Sequence, residues 1–544
     1  MFMDHILTWT TFLPLIGAAL IAFLVPGTKH RLIRVLATVF VVADFALALL
    51  IWRGFSPDYA GMQFVKRAPW IPAIGVEYHV GIDGVSLLLI LLTTLLGILA
   101  VTCSYTAITE RVKEYYVMLL FLQTSMLGVF IALDLFLFYV FWEVMLVPMY
   151  FLIGVWGSDN KLYSAIKFFL YTLFGSVFLL VGILALYFVN TTGIPMFGIE
   201  GLGNAPSLNI LHLQGIAAQI PATLQFWVFF GMFLGFAIKV PMFPFHTWLP
   251  DAHTDAPTAG SVILAAVLLK MGTYGFFRVG MPVLPLGFEA WKELLIALCL
   301  IAIIYGALVC LVQRDMKRLV AFSSVSHMGY VMLGIFVLNE VGMKGGLLQM
   351  INHGITTGAL FMLVGIIYER RHTRLIRDYG GLAQVMPVYA AIFLVMALAS
   401  MGLPGLNGFI GEFLVIIGAY QENFWWAFTA AVGVILAAAY LLWLYQRVFF
   451  GPLENEKNKS LRDCSAREAW QFAPLIVLSL WIGLYPKPFL NYLEKPVEQL
   501  ILHMEEARAF GEGEERLVQA GPPAPPEPAV VAEEISLEPE SLPR

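Results

Sequence analysis

TLQFWVFFGMFLGFAIKVPMFPFHTWLP, residues 223–250, and SVILAAVLLKMGTYGFF, residues 261–277, each hold one lysine, Lys239 and Lys270, in an otherwise apolar run. A helix needs about 20 mostly apolar residues to cross a bilayer, and both runs with their flanks reach that. A charge at the middle of a membrane costs roughly 2.5–3.5 kcal/mol on insertion scales, so such a residue faces a wet or protein-lined interior and marks an ion or proton path. The two lysines belong to a series of ionisable side chains in apolar segments: Glu143, Lys239, Lys270, His327, His353 and Glu412. The first run also contains KVPMFPF, whose prolines break a helix inside the membrane.

Composition sets the class. Of the 544 residues, 60% are hydrophobic and 13% charged, against about 25% charged in soluble proteins. This is an all-α polytopic membrane protein. A formal net charge of −5 leaves no basic footprint for nucleic acid. Cys103, Cys299 and Cys310 stand alone in apolar runs and Cys464 in a polar loop, with no CxxC pair; they read as small buried hydrophobes, not as ligands of a cluster or zinc. Residues 10–25 read as a first anchor rather than a cleavable signal.

A hydropathy window of about 19 residues gives about 14 transmembrane helices. They lie near 5–25, 32–52, 84–105, 114–133, 135–156, 163–189, 222–243, 257–279, 291–312, 318–338, 346–369, 386–420, 427–450 and 470–489. The twelfth is too long for one plain helix and contains MGLPGLNGF, so it is expected to break near Pro404. Basic residues orient the chain. With the N-terminus outside, about eighteen Lys and Arg fall in cytoplasmic loops and about six in external ones, which satisfies the positive-inside rule. The cytoplasmic set includes Lys29, Arg31, Arg111, Lys113, Arg314, Lys317, Arg370 and Arg374. Both termini are then external.

GSVFLLVGI from Gly175 and GALFMLVGI from Gly358 agree at six of nine positions and lie five spans apart. An odd separation reverses a helix across the membrane, so the repeat is inverted, as in many secondary transporters. The breaks in helices seven and twelve are also five spans apart. The expected division is 1–112 for helices 1–3, 113–280 for the first five-helix repeat, 281–450 for the second, and 451–500 for a loop and helix 14. Residues 501–544 form an acidic Pro-rich tail that is expected to be disordered.

Glu143, in LFLFYVFWEVMLVPMYFLIGVW, needs a partner or a proton when buried. Lys239 is the natural one, and a neighbouring charge can switch such a pair between charged and neutral states. A static structural ion pair is the plainer alternative. Lys270 has no evident partner in its own span. His327 and His353 can pass protons through both ring nitrogens, though a lone buried histidine is more often a satisfied core residue. Glu412 follows the second break and ends the series. The segment PMFPFHTWLPDAHTDAPTAGS, 241–261, packs His246, Asp251, His253 and Asp255 into a short loop; its prolines and the lack of a helix to align ligands argue against a metal site. Asp44, Asp134 and Lys167 lie at helix ends or inside, and Arg278 and Arg447 read as interfacial anchors.

The stretches KVPMFPFHTWLPDAHTDAPTAGSVILAAVLLKMGTYGFFR, SSVSHMGYV and FWEVMLVPMYFLIG resemble the antiporter-like subunits of respiratory complex I. That family extends to subunits of multi-subunit sodium/proton antiporters and membrane-bound hydrogenases. The resemblance covers about residues 1–495. Glu412 in GFIGEFLV and the N-terminal VEYHVGIDGVSLLL resemble the branch that carries glutamate where the L and N subunits and the antiporters carry lysine. The resemblance implies two inverted five-helix bundles and a hydrophilic axis in the membrane plane. It implies functional roles for Glu143, Lys239, Lys270 and Glu412, with His327 and His353 on the axis. It implies L- and N-type neighbours, a bacterial inner-membrane location, and NADH, FMN, iron–sulfur clusters and quinone bound by other subunits, with no cofactor or metal in this chain. The acidic tail departs from the family's usual ending.

The expected function is therefore proton translocation by an antiporter-like subunit of an NADH–quinone oxidoreductase. A sodium/proton antiporter or hydrogenase subunit is the nearest alternative. A passive membrane scaffold is the alternative of another class, since structural ion pairs also perturb titration.

Overall fold

The computed structural model describes residues 3–520. Its long helices are α1 Met3–Leu24, α2 His30–Gly54, α3 Gly84–Ala107, α4 Val112–Ile131, α5 Leu135–Trp156 and α6 Lys161–Asn190. Then come α7 Ala222–Lys239 and the short α8 Trp248–Asp255. They are followed by α9 Thr258–Val283, α10 Pro285–Leu311, α11 Met316–Phe336 and α12 Glu340–Arg371. The last five are α13 Pro387–Ser400, α14 Asn407–Glu422, α15 Phe424–Phe449, α16 Ala466–Leu484 and α17 Lys487–Ala520.

Among the described residues, 12 helices are long and apolar enough to cross a membrane, or 13 if α16 with α17 counts as one bent span. The twelfth expected span, 386–420, is the pair α13 and α14, broken around the expected Pro404. Gly402 (φ 78°) and Gly405 (φ 93°) flank Pro404 at that break, and these backbone angles suit glycine alone without strain. The break after α7 falls at Val240–Thr247, which contains Pro241 and Pro244.

The chain is not purely helical. Strands β1 Gln63–Ile71 and β2 Val76–Ile82 pair antiparallel, with Lys66 opposite Val80. Val80 bridges to Ala132, and Asp134 bridges to Asn209. The hairpin, the start of α5 and the 191–221 connection therefore share one face, called the hairpin face below. Asp134 caps α5 there by accepting from the Phe136 and Leu137 amides, a strong helix start. On the opposite face Asp315 bridges to Leu375 and caps α11.

Burial sorts the helices. The apolar windows of α9, α11 and α12 are wholly buried, while α2 and α15 turn much of their surface outward. The three central helices carry Lys270, His327 and His353.

The C-terminal segment corrects the sequence reading. Helix α17 leaves α16 at a 72° bend and runs to Ala520, past the expected boundary at 500. It packs across α3 and α12. Its buried residues Leu493, Val497, Leu500, Met504 and Ala507 recur at the spacing of one helical face. That stripe continues beyond 500 and holds the segment in place. Residues 521–544, the rest of the expected tail, lie outside the described residues.

Helix pairs close on glycine. A Cβ on Gly418 of α14 would sit 2.3 Å from the Gly342 Cα of α12, a close backbone approach typical of membrane helices. Gly418→Ala is expected to cost about 1–3 kcal/mol or more by overpacking and to lower the amount of folded protein in membranes. Gly215→Ala, where a Cβ meets nothing within 4 Å, should leave that amount unchanged. Quantitative immunoblotting of detergent extracts compares the two.

Candidate functional site

The site begins at α9. This helix contains two π turns, Leu264–Leu268 and Phe276–Gly280, which widen the backbone spiral and are common at functional positions. The first lies just before Lys270. Lys270 Nζ donates to the Ala265 carbonyl at 2.8 Å and meets His353 Nδ1 of α12 at 2.5 Å. The expectation that Lys270 lacks a partner in its own span is thus corrected: it has one there, at the π turn, and a second on α12. The Lys270–His353 contact holds one proton between two bases.

His353 lies beside His327 of α11, with ring centroids 5.7 Å apart. His353 Nε2 is buried with no hydrogen-bond partner among the described residues. His327 Nδ1 lies 2.9 Å from Glu412 Oε1 of α14. When Glu412 is a carboxylate it only accepts, so Nδ1 then carries a proton toward it. Ser400 Oγ at 3.3 Å and Tyr440 Oη at 3.4 Å face Nε2. Gln349 Nε2 donates to the same Glu412 oxygen at 3.0 Å, while Glu412 Oε2 is buried and unpartnered among the described residues. The break between α13 and α14 brings Ser400 and Glu412 together here. Lys270, His353, His327 and Glu412 thus form a buried file drawn from four helices.

Glu143 and Lys239 form the other end. No ion pair or hydrogen bond joins them, which corrects the expected direct pairing. Lys239 Nζ lies 3.4 Å from Met145 Sδ and 5.2 Å from the centroid of the Trp142 ring, a cation–π arrangement. Glu143 Oε1 is buried with no hydrogen-bond partner among the described residues, yet the glutamate remains within electrostatic reach of the lysine. A short turn at Met145 interrupts α5 and sets its thioether against the Lys239 ammonium.

The 241–261 segment is also corrected: it contains helix α8. Asp251 accepts from Lys167 at 2.6 Å and Arg318 at 3.1 Å. Asp255 accepts from Ser158 and Ser164 at 2.8 and 2.5 Å. His253 is fully buried, stacks on Phe361 with centroids 4.5 Å apart, and has no partner for either ring nitrogen among the described residues. A cleft of about 260 Å³, lined by Asp255, Lys317, Glu369, His372 and Arg374, lies on the face opposite the hairpin. No group of three or more His, Cys, Asp or Glu side chains could hold a metal among the described residues.

Arg278 is no interfacial anchor. It is buried and pairs with Asp83, the cap of α3. Arg447 is exposed, with its guanidinium 5.0 Å from the centroid of the Trp443 ring. Asp44 is fully buried and accepts from Gln123 at 2.6 Å. Sequence reasoning missed Gln349 and Tyr440. Gln349 lies four residues before His353 and so shares its helix face, a signal present in LLQMINHG.

The family described as NADH:quinone oxidoreductase/Mrp antiporter, TM, matches residues 132–437. NADH-quinone oxidoreductase subunit M of Rhodobacter capsulatus is 46% identical over 505 residues, 92% of this chain and 97% of the relative. NADH-ubiquinone oxidoreductase chain 4 of Marchantia polymorpha is 41% identical over 492 residues, 90% of this chain and 96% of the relative. A chain of respiratory complex I from Thermus thermophilus superposes with a TM-score of 0.81 at 32% identity, covering 92% of this chain and 99% of that one. A chain of the Mrp complex from Dietzia shares the fold, with a TM-score of 0.79 at 21% identity over 93% and 99% of the two chains. With its buried file of ionisable residues, this chain belongs to the NADH:quinone oxidoreductase/Mrp antiporter family of membrane proteins, in the company of its subunit M and chain 4 members.

Proposed function

We propose that this chain moves protons across the membrane as an antiporter-like subunit of an NADH–quinone oxidoreductase, along the file Lys270–His353–His327–Glu412. The observation that carries the reading is the contact of Lys270 with His353 and of His327 with Glu412 at hydrogen-bonding distance inside a wholly buried core. Each step has a donor and an acceptor in place except the gap between the two imidazoles. A change of charge at Glu143 acts on Lys239 through space, without a direct ion pair, and resets the proton balance of the next lysine along the axis. His253 and the polar cleft supply water-side access near Lys270.

The remaining assignments follow the same reading. The family's relatives are subunits of a redox enzyme, and NADH, flavin, iron–sulfur clusters and quinone belong to other subunits. L- and N-type subunits flank this one in a bacterial inner membrane, with the hairpin face and both termini external. Helices α4–α9 and α10–α15 are the two inverted repeats, with matched breaks after α7 and α13; α6 packs on α7 as α12 packs on α14. The scaffold alternative draws on one observation, that Lys270 is partnered rather than free.

Two sets of variants separate these readings. Glu143→Ala removes the charge that Lys239 feels. NADH-driven acidification and coupled quinone reduction should both fall to a small fraction, while electron transfer to an artificial acceptor that bypasses quinone survives. Normal acidification in membranes with assembled complex would remove Glu143 from the mechanism.

Glu412→Gln keeps size and hydrogen bonding but cannot titrate, and proton pumping per NADH should collapse. Glu412→Lys restores a titratable group, so partial pumping is expected. Under the scaffold reading the order reverses: Gln is mild, and Lys faces His327 with a second cation and impairs assembly. Acidification per NADH in assembled complex decides between them.

A further inference from the structure

Lys270 sits near the middle of α9, eight positions before Arg278, which lies toward the hairpin face. At about 1.5 Å rise per residue the two are about 12 Å apart along the helix. Tyr274, four residues from each, shares their helix face, and with Thr273 beside it forms a short column of hydroxyls. Thr273 Oγ1 donates to the Lys270 carbonyl at 2.9 Å. Tyr274 Oη donates to the Phe130 carbonyl at 3.1 Å and lies 2.9 Å from Ser86 Oγ. Arg278 Nε donates to the Tyr274 oxygen at 3.2 Å, and its terminal nitrogen pairs with Asp83. Hydroxyls of this kind pass protons readily. Left open, the column would connect the middle of the membrane with the hairpin face, parallel to the lateral file.

Three features close it. Arg278 stays protonated under all conditions a protein meets, so it neither accepts nor releases a proton. A fixed cation in a narrow polar path repels protons, the device that water channels use. Asp83 offsets the cost of burying that cation; the side chains of both are over nine-tenths buried. Above the pair lies α17. The Tyr492 carbonyl of α17 abuts Gly84, next to Asp83, so closely that a Cβ there would lie 1.7 Å from it. His503 of α17 donates to the Pro282 carbonyl at 2.7 Å, at the end of α9.

We propose that Arg278, held by Asp83 and roofed by α17, is a positioning residue that seals the hairpin-face end of α9 against protons, so that Lys270 exchanges its proton sideways with His353. The proposal rests on the reading of Lys270 as a proton carrier. It adds that the direct route from Lys270 to the hairpin face is chemically blocked, and names the block.

The test is passive proton leak, measured in closed vesicles with equal amounts of assembled complex, without NADH, as the decay of an imposed pH gradient. Arg278→Gln removes the fixed cation and leaves Asp83 as a titratable carboxyl in the column; the gradient should decay several-fold faster than in wild type. Asp83→Asn keeps the cation and should remain tight even if it lowers stability. Should Arg278→Gln fail to assemble, Asp83→Asn/Arg278→Gln removes both charges together and is also expected to leak. Adding Lys270→Met to the leaky variant should restore tightness, because the leak then loses its inner station. A tight Arg278→Gln or a tight double variant overturns the seal. So does a leak that persists without Lys270, which would reflect loosened packing. Lys270→Met alone separates the two readings: normal NADH-driven pumping in it defeats the carrier role, whereas lost pumping beside a tight Arg278→Gln defeats the seal only.

Discussion

Everything central in this protein depends on finding hydrogen-bond partners for charges that lipid will not solvate. Lys270 is the hardest case. An ordinary α-helix commits its carbonyls to its own backbone, and a lysine in its middle finds none to spare. The π turn just before it changes that, placing the Ala265 carbonyl within 2.8 Å of the ammonium group. His353 then takes the other side. The same logic runs through the breaks after α7 and α13, where interrupted helices bring polar side chains and loosened backbone to the middle of the bundle.

The two ends of the site differ in how tightly they are wired. From Lys270 to Glu412 the groups touch, with one gap between imidazoles. At the Glu143–Lys239 end no ion pair forms, and Lys239 packs instead against a thioether and an indole ring. The first region is suited to passing a proton and the second to passing a field. A direct Glu–Lys salt bridge would bind both charges firmly and make the lysine less responsive to anything further away.

The candidate site was legible in the sequence because ionisable residues in long apolar runs stand out. Lys239, Lys270, His327, His353 and Glu412 are all buried here, although their roles stand as proposals. What could not be read were partners drawn from distant parts of the chain. Asp83 and Arg278 are 195 residues apart, and a charge near the end of a span looks like an anchor until its partner is known. The contact of Lys239 with Met145 and Trp142 was equally invisible, since residue type suggests a pair but not which groups the lysine packs against. The C-terminal helix was misread for another reason. Acidic composition after 500 masked Met504 and Ala507, which extend an apolar stripe begun at Leu493. Among the described residues twelve or thirteen helices are long enough to span rather than fourteen, because the halves of the expected broken span 386–420 are each too short to count.

The complete burial of α9, α11 and α12 also bears on how the protein is made. Each reaches its stable environment only when its neighbours surround it. Alone in a bilayer, α9 would expose Lys270 and Arg278 to hydrocarbon, and each such charge costs a few kcal/mol. These helices are therefore poor independent inserters. The outer helices, such as α2 and α15, can enter lipid first and stand there unaided. The chemistry-bearing helices must then be admitted into a partly formed bundle, with the glycine contacts of α12 and α14 closing late. The order of biogenesis is in this sense written in the burial pattern: the periphery is lipid-soluble, and the centre is soluble only in the protein itself.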